Sequence, residues 1–461
     1  MMISMVLVFL MTPGVGFFYG GMVSPLNIIS SLMQAYVCIG SVTLIWFICG
    51  FSLAFGDSIG GVIGNPATYF LYRNVTLAPN DDFADSIPFI LYSLFQLMFA
   101  MVTPAQISGA LAERFNFQAW LIFVPVWLVL VYCPLAHLIW HPDGLLAQWG
   151  ILDYAGGVVV HMNSGFAALI GAQVLGRRRL VQVVPANIPL VLLGTALTWG
   201  GWFGFNGGSA LEAAGLGARS ATHALLTTHL AASAAMAAWL LMDFARGLHI
   251  GALAACSGAF VGLVTITPAA GYVSGGSAII IGALGACASN IAMGFLKETE
   301  RLDDALDVFA ANGIGGAVGM VLLSLFAQEE LAGFNGLFFG GGLVYFLKVL
   351  TVVLIVPVYV SGVTFLILKA IGLCFTLRVN SWEEAIGLDL AHHGHDTHDS
   401  LESRKKNFAD LERMGLNISD VLSAPSLHPM SRQASHQALD RLRLSQKENL
   451  NAKPVDNLLH T

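Results

Sequence analysis

Charge is what this chain lacks. Only 11% of its 461 residues are Asp, Glu, Lys or Arg, against about 25% in an ordinary soluble domain. No charged residue precedes Asp57. Uncharged runs also cover 86–112, 115–142, 154–176, 180–211, 220–242, 247–296 and 308–328, and 331–368 is broken only by Lys348. Catalytic constellations are missing too. There is no nucleotide-binding loop, no kinase-like motif, no zinc pattern and no nucleophile–base arrangement, so neither an enzyme nor a cofactor nor a metal centre is expected, and no nucleic-acid partner. The six cysteines (Cys38, Cys49, Cys133, Cys256, Cys287, Cys374) show no metal or disulfide spacing and read as packing residues. The first apolar run has no basic leader, and Pro13-Gly14-Val15-Gly16 interrupts it. It therefore reads as a first span, not a secretory signal.

What is present is apolar length. The chain is 56% hydrophobic, with mean hydropathy +0.73. A membrane-spanning helix needs about 20 mostly apolar residues, and the longest runs each hold two. This predicts an all-α membrane protein of eleven spans: 1–24, 28–55, 88–111, 117–140, 155–176, 188–209, 222–243, 249–267, 277–296, 305–327 and a long 341–373. Lys and Arg fall after odd-numbered spans (Arg114, Arg177, Arg178, Arg179, Arg246, Lys297, Arg301, Arg378), with only Arg73 and Arg219 after even-numbered ones. Positive loops stay cytoplasmic. The expectation is a multi-pass protein of the plasma membrane with its N-terminus outside and C-terminus inside. Asn74-Val75-Thr76, a glycosylation sequon, falls on the outer side.

Two stretches echo each other. Asp153 precedes His161 by eight residues, and Asp304 precedes Asn312 by the same spacing. Eight residues is a little over two helical turns, so each pair would share a face. Polar and ionisable groups in long apolar segments are costly and mark functional sites. Gly16–Gly21 (GFFYGG) and Gly204–Gly208 (GFNGG) form a second echo. Duplication into spans 1–5 and 6–10, an odd number each, gives a pseudo-twofold inverted repeat with its pathway at the repeat interface and span 11 added. Asp153 is expected to cap its helix. Asp307, closer to Asn312, is a supporting residue that can cap or act on substrate. The many glycines in the spans let helices approach closely.

Beyond Arg378 the character changes. Domains are expected at 1–378 (transmembrane) and 379–461 (cytoplasmic tail). The tail has two candidate amphipathic helices (408–422 and 437–450), a histidine cluster at His392, His393, His395 and His398, and a weak phosphorylation context at Arg432–Ser435.

The stretch 153–179 (DYAGGVVVHMNSGFAALIGAQVLGRRR) resembles the signature of the ammonium transporter family (Amt/Mep/Rh), Amt–Mep branch. So do MTPGVGFFYGG (11–21), SGALAERFNF (108–117), GWFGFNGGSA (201–210), DDALDVF (303–309) and LRVNSWEEAIGLDLAHHG (377–394). The resemblance covers about residues 1–395. It implies a homotrimer with one pore per subunit, moving ammonium or ammonia. Phe99, Trp140 and Ser209 resemble the outer recruitment site, where aromatic faces hold a cation and the hydroxyl accepts a hydrogen bond. Phe99 and Phe205 resemble a stacked aromatic gate, with Phe95 nearby. Without the family, Phe99 and Trp140 would read as core or interface-belt aromatics. His161 matches the first of the family's paired pore histidines, and Asn312 stands where the second should be. Asn can orient His161 but cannot carry a proton. Three outcomes stay open: transport with altered proton coupling, a wetter and less selective pore, or a sensor that binds ammonium without moving it. A channel for another small solute is a further alternative. Glu383–Gly394 resembles the family's segment that contacts a neighbouring subunit. A small cytoplasmic nitrogen-regulatory protein is the implied partner.

Overall fold

A computed structural model describes residues 1–180, 185–212, 215–298, 302–395, 406, 407 and 409. Apart from residue 409, the expected tail helices at 408–422 and 437–450, with His398, Arg432–Ser435 and Arg301, lie outside the described residues. Eleven apolar helices run in sequence: α1 (Met2–Met22), α2 (Ile28–Phe55), α3 (Phe89–Leu111), α4 (Phe117–Gln148), α5 (Gly157–Leu175), α6 (Ile188–Gly208), α7 (Gly215–Ala245), α8 (Ala252–Ile266), α9 (Gly275–Glu298), α10 (Phe309–Phe326) and α11 (Leu343–Cys374). Two short helices follow, α12 (Ser381–Ile386) and α13 (Leu388–His393). Ten of the eleven are long and apolar enough to cross a membrane, and α8 is shorter. Its 15 residues span about 22 Å. Thr267 keeps helical backbone angles and its N–H bonds Val264 O at 3.2 Å, but Pro268 has no N–H to continue the ladder, and residues 267–273 continue as turns, with Tyr154 N–H bonded to Pro268 O at 3.2 Å. The helix is thus stopped by proline, not by a polar residue.

The inverted repeat is visible in which helices pair. α1 and α6 open the two halves, and they pack through glycine. A Cβ on Gly194 would lie 2.7 Å from Gly14 O, and one on Gly201 2.8 Å from Leu7 O. α5 and α10 close the two halves and cross the same way. A Cβ on Gly316 would lie 2.7 Å from Gly157 O and 3.0 Å from the His161 Cβ, and one on Gly165 would overlap the Gly313 backbone. Small residues permit these approaches where lipid offers no hydrophobic drive between helices. α5 and α10 also share a rarer feature. Both open on a π-helical turn, Gly157–Met162 and Phe309–Ile314, and such turns are frequent at functional sites.

Loops after α1, α3, α5 and α9 meet on one face. The Arg178 guanidinium sits 2.7 Å from Glu113 Oε2 and 2.9 Å from both oxygens of Asp303. Glu113 Oε1 in turn accepts the Ser24 N–H at 2.7 Å. The tail docks on the same face: the Asp389 carboxylate accepts the N–H groups of Ile29 and Ser30 at 3.0 and 2.7 Å, capping α2, and Arg378 pairs with Glu384 at 2.9 Å. His393 packs its ring on Phe117 at 4.7 Å. Burial pushes the Asp303 carboxyl up, but hydrogen bonds and charge from Arg178, with Arg114, hold it below the usual carboxylate range. Its stabilisation is therefore present above the unfolded-state pKa and lost as pH falls through the lower folded value. Arg178→Ala leaves Glu113 without its cation and Asp303 with only the more distant Arg114, 4.0 Å away, and should cost about 3 kcal/mol. Thermal unfolding in detergent should show a lower Tm at neutral pH, with the gap to the native protein narrowing in acid. An unchanged Tm at pH 7 would make the cluster incidental.

Candidate functional site

A small cavity of about 70 Å³ opens at the N-terminal end of α3 and the C-terminal end of α6, lined by Tyr92, Gln96, Phe99, Trp140, Tyr154, Ser209 and Leu211. Three of these were singled out from sequence, Phe99, Trp140 and Ser209, and the fold brings them together. Trp140 ends the main body of α4 and is fixed in orientation: its Nε1–H donates to Asp153 O at 2.9 Å. The Trp140 and Phe99 rings meet edge to face, centroids 5.8 Å apart. The Ser209 hydroxyl donates to Phe205 O at 2.8 Å, so its own oxygen is left to accept. Two aromatic faces and a hydroxyl acceptor can hold a small cation that carries N–H donors.

Below the cavity the way is closed by rings. Phe99 stacks on Phe205 with centroids 4.0 Å apart, and Phe95 meets Phe99 edge-on at 4.9 Å. All three are buried. Behind Phe205 lies His161. Its Nδ1 is 3.0 Å from Asn312 Oδ1, so in this arrangement Nδ1–H donates to the amide and Nε2 keeps a lone pair. His161 Nε2 and Asn312 Nδ2 are buried with no hydrogen-bond partner among the described residues. One acceptor and one donor are thus left facing an apolar interior, where an unmet polar group is costly. The Gly165–Gly313 crossing sets this pair, because α5 and α10 approach backbone to backbone there.

Asp153 does cap α5, more completely than a helix-face reading implied. It lies ahead of the helix, not on it. Its two oxygens accept the N–H groups of Gly156, Gly157, Val158 and Val159 at 2.6–3.2 Å. His161 is consequently one turn into α5, not two. The capping option for Asp307 is corrected. Asp304 is the cap of α10, accepting Phe309 N–H at 2.6 Å, because it holds the place that Asp153 holds in the first repeat. Asp307 sits in a left-handed conformation (φ 58) and pairs with Lys297 at 2.8 Å. It lines a second cavity, which reaches Asn312 from the opposite face.

The sequence of residues 1–398 matches the model of the Ammonium Transporter Family. The chain belongs to this family. An ammonium transporter of Bacillus subtilis is 42% identical over 393 residues, covering 84% of this chain and 95% of that protein. Among solved structures of the family's fold, Candida albicans Mep2 is similar with a TM-score of 0.76 at 32% identity, covering 82% of this chain and 84% of that one. A structure described as a sensor Amt protein has a TM-score of 0.76 at 29% identity, covering 85% and 96%. The ammonium transporter family is one of membrane transporters, and the fold expected from sequence, eleven helices in two inverted halves, is the fold observed.

Sequence reading of this ammonium-transporter-family chain passed over Trp202. Its ring lies flat on His161, centroids 5.3 Å apart and 12° between planes, and its Nε1–H is tied to Thr267 Oγ1 at 2.8 Å. The signal was available: Trp202 precedes Phe205 by three residues on one helix, so the two share a face.

Proposed function

We propose that the chain transports ammonium or ammonia across the plasma membrane through the path from Phe99 to Asn312. One observation carries this reading: the vestibule offers acceptors and aromatic faces for a cation, whereas the buried His161–Asn312 pair offers one acceptor and one donor. Ammonium has four N–H donors and no lone pair. It suits Phe99, Trp140 and Ser209. Ammonia has three donors and one lone pair, so it can donate to His161 Nε2 and accept from Asn312 Nδ2 at once. An ammonium ion at the pair would face the Asn312 N–H with nothing to accept it. The cation therefore gives a proton to vestibule water before the Phe99–Phe205 stack, the neutral molecule passes, and the proton crosses by its own route, so that net charge moves. Asp153 positions His161 and Trp140 through the turn it caps.

In the same proposal, residues 1–378 form the transporting domain and 379–461 a cytoplasmic tail, the N-terminus is outside, and three copies assemble with one pore each. The face bearing Arg178 would then be cytoplasmic, where a small nitrogen-regulatory protein would dock. A second reading, an ammonium sensor, is supported by the similarity to the sensor Amt protein and by an Asn at a position expected to titrate.

The test is electrical: an ammonium pulse on proteoliposomes adsorbed to a solid-supported membrane. A saturable native current is expected. Trp140→Leu, which keeps apolar bulk and removes the strongest cation–π face, should raise the half-saturating ammonium concentration about fivefold. A native protein that binds ammonium but passes none would hand the argument to the sensor.

A further inference from the structure

Resting on that transport reading, we infer that His141 is a positioning residue for the outer cation site. Its uncharged ring holds the turn behind Trp140, and a proton taken up from an acid exterior releases that turn and weakens ammonium recruitment.

Trp140 supplies one of the aromatic faces of the vestibule and ends the main body of α4. His141 follows in an extended conformation, as a residue before proline prefers. The turn then closes on His141 twice. Its carbonyl accepts the Gly144 N–H at 2.8 Å, and its ring Nδ1 accepts the Asp143 N–H at 3.0 Å. The second bond copies an Asx turn, in which an Asn or Asp oxygen accepts the N–H two residues on. The turn packs without slack. A Cβ on Gly144 would overlap His137 O, and the Leu145 N–H is tied to Gly61 O at 2.9 Å. A backbone N–H can only donate, so this geometry fixes the tautomer: Nδ1 keeps its lone pair and the ring proton sits on Nε2.

Protonation undoes the second bond. A charged imidazole donates from both nitrogens, so Nδ1–H would point at the Asp143 N–H. Asp143 is exposed, and its N–H finds water once the turn opens. Trp140 then loses a constraint on its backbone, and a site that must be ordered on binding holds its ligand less tightly. A positive ring near the vestibule also repels a second cation, which acts in the same direction. The ring stands close enough for this. It stacks on His137, centroids 4.3 Å apart and 23° between planes, and meets Phe83 edge to face at 5.4 Å. Phe83 packs on Tyr92, centroids 5.4 Å apart, and Tyr92 lines the vestibule. The charged and titratable groups facing His141 are His137 on α4, Asp57 after α2, Asp82 before α3, and Asp143 in its own turn. His137 is engaged elsewhere: its Nδ1 meets Ala54 O at 3.0 Å and its Nε2 the Ser58 hydroxyl at 2.8 Å.

Two substitutions hold the turn in one state each. His141→Asn keeps an acceptor near the Nδ1 position, favours a turn ahead of Pro142, and does not titrate. His141→Phe keeps a ring and has no acceptor. Half-saturating ammonium concentrations are read from currents in vesicles oriented with the Phe99 face outward, at about pH 7.5 and about pH 5.5, within the range where imidazole changes charge. The native value should rise about fivefold in acid, the size of one hydrogen bond. His141→Asn should hold the native neutral value at both pH values, and His141→Phe should stay near the native acid value at both. His161 lies behind the ring stack and acts on the maximal current instead. A native pH response retained in His141→Asn overturns the inference. So does His141→Phe binding as tightly as His141→Asn at neutral pH, or a native value that does not move with pH. A second arm needs no transport. Structures of the full chain at the two pH values should show the Asp143 N–H bonded to His141 Nδ1 at neutral pH and apart from it in acid, with the turn of His141→Asn closed in both. A closed native turn in acid overturns the inference. A native protein without current defeats the transport reading instead, and the structures still decide this one.

Discussion

His161→Ala should lose at least tenfold of the native ammonium current while eluting in detergent as the native protein does. The imidazole touches three things that matter to passage. It lies on Trp202, it reaches toward Phe205 with centroids 6.1 Å apart, and it holds the Asn312 amide at 3.0 Å. Alanine removes the acceptor that ammonia would donate to, and it frees the amide oxygen in a buried place. Losing a hydrogen bond and stranding its partner costs about 1–3 kcal/mol, or roughly tenfold or more in flux. The fold should survive, because the α5–α10 crossing is made by Gly165, Gly313 and Gly316 and not by this ring. Asn312→His supplies the contrast. It should keep a current, since His can still accept or donate toward Nδ1, but it adds a second titratable ring to the pair and so changes the pH dependence. Ammonium current persisting in His161→Ala together with a new potassium current would reassign His161 to selectivity. Persisting current with no potassium leak would remove it from the path.

How legible all this was depends on the kind of force involved. The spans could be read because lipid imposes a length and excludes charge, and Asp57, Glu113, Arg177 and Glu212 punctuate the runs. The bounds of α5 and α6 fall within two residues of expectation. For α8 the expected 249–267 misses by three residues at the start and by one at the Pro268 end. The echo of Asp153–His161 in Asp304–Asn312 was legible as spacing. Its geometry was not, because both helices begin after the aspartate, on π-helical turns that no periodicity announces. The stacked pairing of Phe18 with Phe260 was hidden for a different reason. Those residues are 242 apart in sequence, and only the two-fold relation of the halves puts them together. Phe99 and Phe205 came into view through family resemblance.

The two capping aspartates should respond very differently to removal. Asp153→Ala deletes the acceptor for four backbone N–H groups, at Gly156, Gly157, Val158 and Val159, at a residue only 5% exposed. Water has little access to replace it. Each stranded buried donor costs about 1–3 kcal/mol, and several together exceed the margin of an ordinary domain. The start of α5 should unwind, carrying His161 with it. Trp140 should shift as well, because its ring hangs on the Asp153 carbonyl. The expected result is aggregated protein on size exclusion, with no current to measure. Asp153→Asn, which keeps one of the two oxygens, should fall between. Asp304 occupies the same place in the second repeat but is used less: Oδ2 accepts Phe309 N–H, and Oδ1 has no partner among the described residues. Burial, with Asp307 beside it, pushes its carboxyl up to about 6. A carboxyl raised in the folded state costs stability on ionising, and that cost grows as pH rises from its unfolded value near 3.8 through about 6. Asp304→Asn keeps an oxygen for Phe309 and cannot ionise. It should fold, and its Tm should gain on the native protein as pH rises across that window. Equal loss of folded protein in Asp153→Ala and Asp304→Asn would mean the two caps carry the same load, and that the repeats are more alike in energy than their hydrogen bonds make them.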